Sequence, residues 1–313
     1  MREAIARHLH DFRGISVHPE QIIVGAGTEY LYGLIVKLLG RDKTYGLENP
    51  CSNKIRNIYQ SLDVKTMPIE MDDEGILSEQ EGLKESDVIQ ISPSHHFPTG
   101  VVTSISRRYA ILGWANESDD RYIIEDDYDS EFRLQGRPIP SLFSIDTSGK
   151  VIYFNTFSKT LASTIRISYM VLPYSLLERF KSALGFYSCT VSNFEQYALA
   201  TFIMDGYLER HINRMRIQYK AIRDQLIDQI KSSWLAPYIS ISQENAGLHF
   251  LLDIDTDMTD EQLKEKALDM GIAVSFLSDY YDKTATGPAY LSDRHVAVIN
   301  YSGLNSSGVD LRL

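Results

Sequence analysis

The sequence predicts an α/β fold: a mainly parallel sheet of the seven-stranded type, covered by helices, followed by a smaller α+β C-terminal domain. Three observations predict it. Short apolar runs recur from Gln21 to Leu172, and helical stretches separate several of them, which is the alternation of a parallel sheet covered on both faces. From Ser192 to Lys231 the texture becomes long and helical, with charges on one side. Beyond Trp234 short strand-like runs return around one helix.

Apolar residues at Ile5, Leu9 and Phe12 predict a first helix, and Gln21 to Val24 a short buried strand that runs into Gly25-Ala26-Gly27-Thr28. A helix follows from Thr28 to about Leu39. Further strands are expected at Thr44–Leu47, Val64–Ile69, Val88–Ile91, Tyr122–Glu125, Val151–Phe154 and Ile165–Leu172, with a helix over Ser104–Ala115. In the helical stretch from Ser192 to Lys231, Gly206 and Asn213 weaken the pattern without ending it. Ile239–Ile241, Leu248–Leu252 and Val296–Tyr301 read as strands, and Asp260–Met270 as a helix. The expected division is a large domain over 1–205, a connecting helix over 206–232 and a small domain over 233–313.

With 313 residues, 43% of them hydrophobic and 23% charged, the chain has the composition of a globular protein with a sizeable core. Its net charge of −11 and scattered Lys and Arg argue against nucleic-acid binding by this chain. Cys51 and Cys189 form no CxxC pair, so a reducing cytoplasm is the expected compartment and no thiolate metal cluster is expected. No apolar run approaches the roughly 20 residues that span a bilayer.

Ligands of open parallel sheets bind outside the carboxyl ends of strands, so residues following the strand runs come first. Gly25-Ala26-Gly27-Thr28-Glu29 offers small residues and a helix start, which suit an anion; a plain tight turn fits equally well. Glu125-Asp126-Asp127-Tyr128-Asp129 ends a strand in clustered carboxylates, and strand alternation would turn Asp126 and Tyr128 to one face and Asp127 to the other. A solvated acidic loop or a Mg²⁺ site are the rival readings. Thr156-Phe157-Ser158-Lys159-Thr160 places a lysine just after a strand among aromatic residues, where desolvation would lower the amine's pKa and free it as a nucleophile; a lone lysine is more often at the surface. Ser92 to Gly100 is expected as a structural loop, since His95 and His96 lack metal-ligand spacing. Together, an anion-cradling turn, a strand-end aspartate, a lysine and Arg166 match the needs of pyridoxal 5'-phosphate. Its phosphate needs N–H donors and a fixed positive charge, its pyridine nitrogen an anion, and its aldehyde an amine.

These motifs resemble those of the fold type I aminotransferases, and more closely the aminotransferase-like domain of MocR/GabR-type bacterial transcription regulators. The likeness is carried by Glu125 to Arg133, Thr156 to Ala162 and Arg166 to Tyr169, and extended by Ser92 to Gly100 and His211 to Arg216. The resemblance implies that Lys159 joins the cofactor's aldehyde as a Schiff base, Asp126 pairs with the pyridinium nitrogen and Tyr128 bonds the ring's phenolic oxygen. It implies Gly27, Thr28 and Thr156 as phosphate donors and Arg166 as the phosphate's bidentate cation.

Several positions depart from the family pattern. Ser52 stands where an aromatic ring usually stacks on the pyridine, and Phe97 where many aminotransferases have Asn. Ala297 to Asn300 lacks the arginine that grips a substrate carboxylate; Arg294 lies upstream, and Lys54 is expected as a solvent-facing lysine, with part of a carboxylate anchor as the other reading. Relative to the family, the chain begins after a segment that contacts the neighbouring subunit's phosphate, stops before the final helix and lacks a winged helix-turn-helix region. An excised domain and a separate reduced protein are both consistent with this. The expected function is effector sensing and dimerisation in such a regulator, with an aldimine formed to a small amine or amino acid and a homodimer as the expected state. The alternatives are an active aminotransferase, moving an amino group between an amino acid and a 2-oxo acid, and a dimerising scaffold without chemistry.

Overall fold

Strand-end residues can meet only if their strands run the same way, and the sheet order arranges this. The computed structural model describes residues 1–133, 139–245, 247–282 and 294–304. Helix α1 (Arg2–Arg13) precedes β1 (Ile22–Gly25), α2 (Thr28–Leu39), β2 (Thr44–Asn49), α3 (Asn53–Ser61) and β3 (Lys65–Asp72). Then come β4 (Gly75–Ile76), α4 (Glu81–Lys84), β5 (Val88–Ile91), α5 (Ile105–Asn116), β6 (Tyr122–Asp126) and α6 (Leu142–Ile145). After β7 (Val151–Thr156), the one-turn α7 (Phe157–Thr160) and β8 (Ser168–Val171), helix α8 (Tyr174–Leu184) leads to α9 (Asn193–Met204) and α10 (Tyr207–Ser232). The remainder is β9 (Ile239–Ser242), β10 (His249–Ile254), α11 (Asp260–Asp269), β11 (Ser275–Phe276) and β12 (His295–Asn300).

The large sheet has the order β1-β8-β7-β6-β5-β2-β3-β4. Strands β3, β2, β5, β6 and β7 pair in parallel, β8 runs antiparallel between β7 and β1, and the two-residue β4 adds a hairpin edge beyond the seven expected strands. All six residues of β7 are buried, as both faces are covered. Successive side chains serve opposite faces: Ile152 and Phe154 pack with α2 residues such as Tyr32 and Ile35, whereas Tyr153 packs with α1 and α9 residues such as Ile5 and Leu199. Such burial of large apolar side chains, each worth about 1.5–3 kcal/mol, fixes the sheet register.

The second sheet has the antiparallel order β11-β12-β10-β9. Its Leu251 and Val298 meet Phe97 of the large-sheet loop in one cluster.

Two expectations need correction. Gly206 does end the long helix: it sits in the left-handed region at φ 71, separating α9 from α10. A glycine there has no Cβ to oppose that conformation, so the chain turns instead of merely weakening. The expected strand over Ile165–Leu172 begins only at Ser168, because Arg166 has φ 50 and interrupts extended backbone.

Candidate functional site

Strands β1, β5, β6 and β7 end at one edge of the large sheet, and antiparallel β8 begins there. That edge brings together the Gly27 turn, Asp126, the Lys159 turn and Arg166.

Gly27 caps α2 with φ 95, a conformation that favours glycine. A Cβ on it would collide with the Arg166 guanidinium and lie 2.6 Å from Glu29 Oε2. Thr28 begins the helix. Arg166 donates from Nη2 to Glu29 Oε2 at 2.8 Å, and Lys54 pairs with Glu29 Oε1. Its non-glycine residue at positive φ is a strained conformation of the kind that concentrates at functional sites.

Asp126 is buried at the end of β6. Its Oδ2 accepts from Tyr32 Oη at 2.6 Å, Gln90 Nε2 donates to that hydroxyl at 2.8 Å, and Oδ1 is buried with no partner among the described residues. Burial pushes the carboxyl up to about 6 against the Tyr32 hydrogen bond, with Asp127 and Asp129 adding repulsion. Tyr32 and Gln90 were not singled out in the sequence; their only signal is position, one helical turn after Thr28 and within the β5 run.

The carboxylates beside Asp126 diverge. Glu125 accepts from Leu142 N and Phe143 N at the start of α6. Asp127 faces away, pairing with Arg13 Nε at 2.8 Å and accepting from Tyr153 Oη at 2.6 Å. Asp129 meets His95 Nδ1 at 2.8 Å. These three carboxylates are thus spent on separate structural contacts and do not converge as ligands of one ion would. The opposite facing of Asp126 and Asp127 agrees with strand alternation.

Tyr128 is half-buried, its hydroxyl 3.4 Å from His95 Nδ1. Burial, with the charges of Asp129, Asp126 and Glu48, holds its pKa well above the ordinary phenol range, so the hydroxyl remains a donor. Lys159 lies on α7, but the expected desolvation is not found: its side chain is exposed, because the flanking Phe157 and Thr160 take the inward positions. Thr156 has its hydroxyl engaged locally. It receives hydrogen bonds from Ser168 Oγ at 2.9 Å and Ser158 N at 3.2 Å and donates to Ile167 O at 3.4 Å, so it caps α7.

Residues 92–100 form a loop against the second sheet. Phe97 packs edge-on against His249 and Tyr280, with centroids 5.3 and 5.2 Å away. His249 bonds the Pro98 carbonyl at 3.0 Å, and His96 meets Thr99 Oγ1 at 2.7 Å. Burial and the neighbouring His95 keep His249 well below the usual imidazole range. Ser52 precedes α3 and makes no side-chain cap. Arg294 donates from Nε to Asp253 Oδ2 at 2.8 Å and is tied to the second sheet's surface.

Comparison with known proteins identifies the family and the fold. The family model for aminotransferase class I and II matches residues 1–281. The HTH-type transcriptional regulator YdeL of Bacillus subtilis is 38% identical over 274 residues, covering 88% of this chain and 59% of the regulator. The HTH-type pyridoxine biosynthesis transcriptional regulator PdxR of Corynebacterium glutamicum is 30% identical over 286 residues, covering 91% and 61%. The chain spans about three-fifths of the length of these curated relatives. Among solved structures, the kynurenine aminotransferase of Pyrococcus horikoshii superposes with a TM-score of 0.81 at 24% identity, covering 98% of this chain and 77% of the enzyme. An archaeal alanine:glyoxylate aminotransferase gives 0.83 at 21%, covering 98% and 76%. These enzymes share the fold. The chain belongs to the class I and II aminotransferase family, corresponds to the aminotransferase-like part of MocR/GabR-type regulators, and by that membership has pyridoxal 5'-phosphate as its implied cofactor.

Proposed function

We propose that this chain is the effector-sensing and dimerisation part of a transcription regulator, holding pyridoxal 5'-phosphate at Lys159 and taking up a small amine or amino acid there. The observation that carries the reading is Asp126, whose Oδ1 is buried without a partner while Tyr32 holds Oδ2. A pyridinium N–H satisfies that oxygen, and its positive charge offsets the burial that pushes the carboxyl up. The other residues fit as well. Gly27 leaves the space beside Arg166 that a Cβ would take, Thr28 opens the helix N-terminus, and Tyr128 is a donor for the ring oxygen. Thr156 supports this edge by capping α7, and its hydroxyl reaches a phosphate only by giving up the Ile167 carbonyl.

Bound here, the cofactor supplies an aldehyde that condenses with an amine, releasing water, and a protonated ring that withdraws electrons from the adjoining carbon. Lys159 contributes the first amine. Exchanged for the ligand's amine, it is free to hold or move a proton at the ligand carbon.

Sensing is preferred to turnover because Arg294 is tied to Asp253, and Ala297 to Asn300 presents no cation to a substrate carboxylate. The homodimer is supported by large exposed rings on one face of α9, Phe194 and Tyr197, 84% and 75% exposed.

The reading is tested by mixing the cofactor-loaded chain with a panel of amines and amino acids. The expected result is a spectral change with at least one ligand, with the cofactor recovered as pyridoxal 5'-phosphate. Steady conversion to pyridoxamine phosphate identifies a working aminotransferase instead.

A further inference from the structure

Glu29 places a carboxylate inside the cradle that the reading above gives to a phosphate. It is the second residue of α2. Its Oε2 accepts from Arg166 Nη2 at 2.8 Å, its Oε1 pairs with Lys54 Nζ, and its own backbone N–H adds a third donor. A guanidinium, an ammonium and a free amide at a helix start are the donor set that recognises a phosphate. Burial alone would raise this carboxyl, yet the hydrogen bonds from Lys54 and Arg166 bring it down to about 2, so it is ionised throughout the working pH range.

The contact is strong in geometry but open to solvent. The side chains of Glu29, Arg166 and Lys54 are 32%, 49% and 61% exposed. Water and salt screen such a cluster, and the carboxylate can swing out without leaving a buried charge behind. The position also bears on Gly27: the Arg166–Glu29 pair lies against the very side of that glycine where a Cβ would stand, so carboxylate and guanidinium meet directly over the turn.

We propose that Glu29 lowers the affinity of the phosphate cradle, its carboxylate competing with phosphate groups for Arg166 and Lys54. A bound phosphate brings negative charge to within a few ångströms of Glu29, so one of the two anions must give way. A free anion, held by the cradle alone, loses that competition. A ligand also anchored covalently at Lys159 wins it, because the second attachment raises its effective concentration at the cradle. Glu29 lowers the affinity for both by the same factor, so a weakly held free phosphate is displaced while a covalently anchored one stays bound. The inference rests on the cofactor reading for its meaning, but its test does not depend on it.

The rival role for Glu29 is to orient Arg166, which has further N–H groups for a phosphate after Nη2 is used. The two roles give opposite results. Inorganic phosphate is titrated calorimetrically into the full chain and its Glu29→Gln and Glu29→Ala variants at low ionic strength. Uptake of pyridoxal 5'-phosphate and of pyridoxal is followed by absorbance in parallel. Competition gives variants that bind inorganic phosphate about tenfold more tightly, as removal of one adjacent like charge should. Uptake of pyridoxal, which has no phosphate, stays unchanged. Phosphate binding that is weakened or unaltered in both variants overturns the proposal. Tighter phosphate binding without any aldehyde uptake retains Glu29's role and overturns the cofactor reading instead.

Discussion

At the scale of single residues, the proposed function rests most heavily on Asp126. Its carboxyl is higher in the folded chain, at about 6, than its ordinary value of 3.8. The folded chain therefore binds more protons than the unfolded chain between those pH values, and stability falls as pH rises through the window, by on the order of 3 kcal/mol. Asp126→Asn removes that dependence. The difference in unfolding free energy between the parent and this variant, measured by urea titration without cofactor, should change steeply from pH 4 to pH 6 and level off above pH 7. A difference that does not vary with pH contradicts the burial of this charge. Tyr32→Phe deletes the donor to Oδ2 and leaves Gln90 Nε2 without its acceptor. A loss of about 1–3 kcal/mol is expected from the same titration at pH 7. These contacts were illegible in the sequence, because Tyr32 and Asp126 are 94 positions apart and nothing local marks a helix tyrosine as an aspartate's partner.

At the scale of elements, local pattern was a good guide where one apolar face decides the structure. The expected helix from Thr28 to Leu39 coincides with α2, since Leu31, Leu34, Ile35 and Leu38 recur at helical spacing and are all buried. It failed where a backbone conformation decides. Gly206 and Arg166 both adopt positive φ, and neither the break between α9 and α10 nor the late start of β8 shows in hydrophobic periodicity. The desolvation expected of Lys159 failed for a related reason, while the surface reading of a lone lysine held: the one-turn α7 rotates Phe157 and Thr160 inward, and which residue of so short a helix faces solvent depends on the sheet beneath it. The turn before α2 gives the sharpest test at this scale. Gly27→Ala adds a Cβ against Arg166 and Glu29 at φ 95. It should cost about 1–3 kcal/mol in stability and weaken cofactor uptake together. Full retention of cofactor affinity in that variant contradicts the placement of the phosphate at this turn.

At the scale of the whole molecule, topology gathers the site: parallel strands end at one edge, and antiparallel β8 returns Arg166 to it. This much was legible, because the strand runs and the residues following them stand in the sequence in order. How the second sheet meets the first was not. Phe97 and His249 are brought together by the packing of residues 92–100 on β10, a contact that no periodicity encodes. The exposed aromatic face of α9 gives a prediction of assembly. Analytical ultracentrifugation should find a dimer that Phe194→Glu with Tyr197→Glu converts to a monomer, whereas a parent chain already monomeric at micromolar concentration contradicts that interface. The central claim concerns Lys159, and one spectrum tests it most directly. With pyridoxal 5'-phosphate added, the parent chain should turn yellow, borohydride should fix the cofactor to it covalently, and Lys159→Ala should give neither result. A parent chain that stays colourless, or a Lys159→Ala chain that is labelled equally, contradicts it.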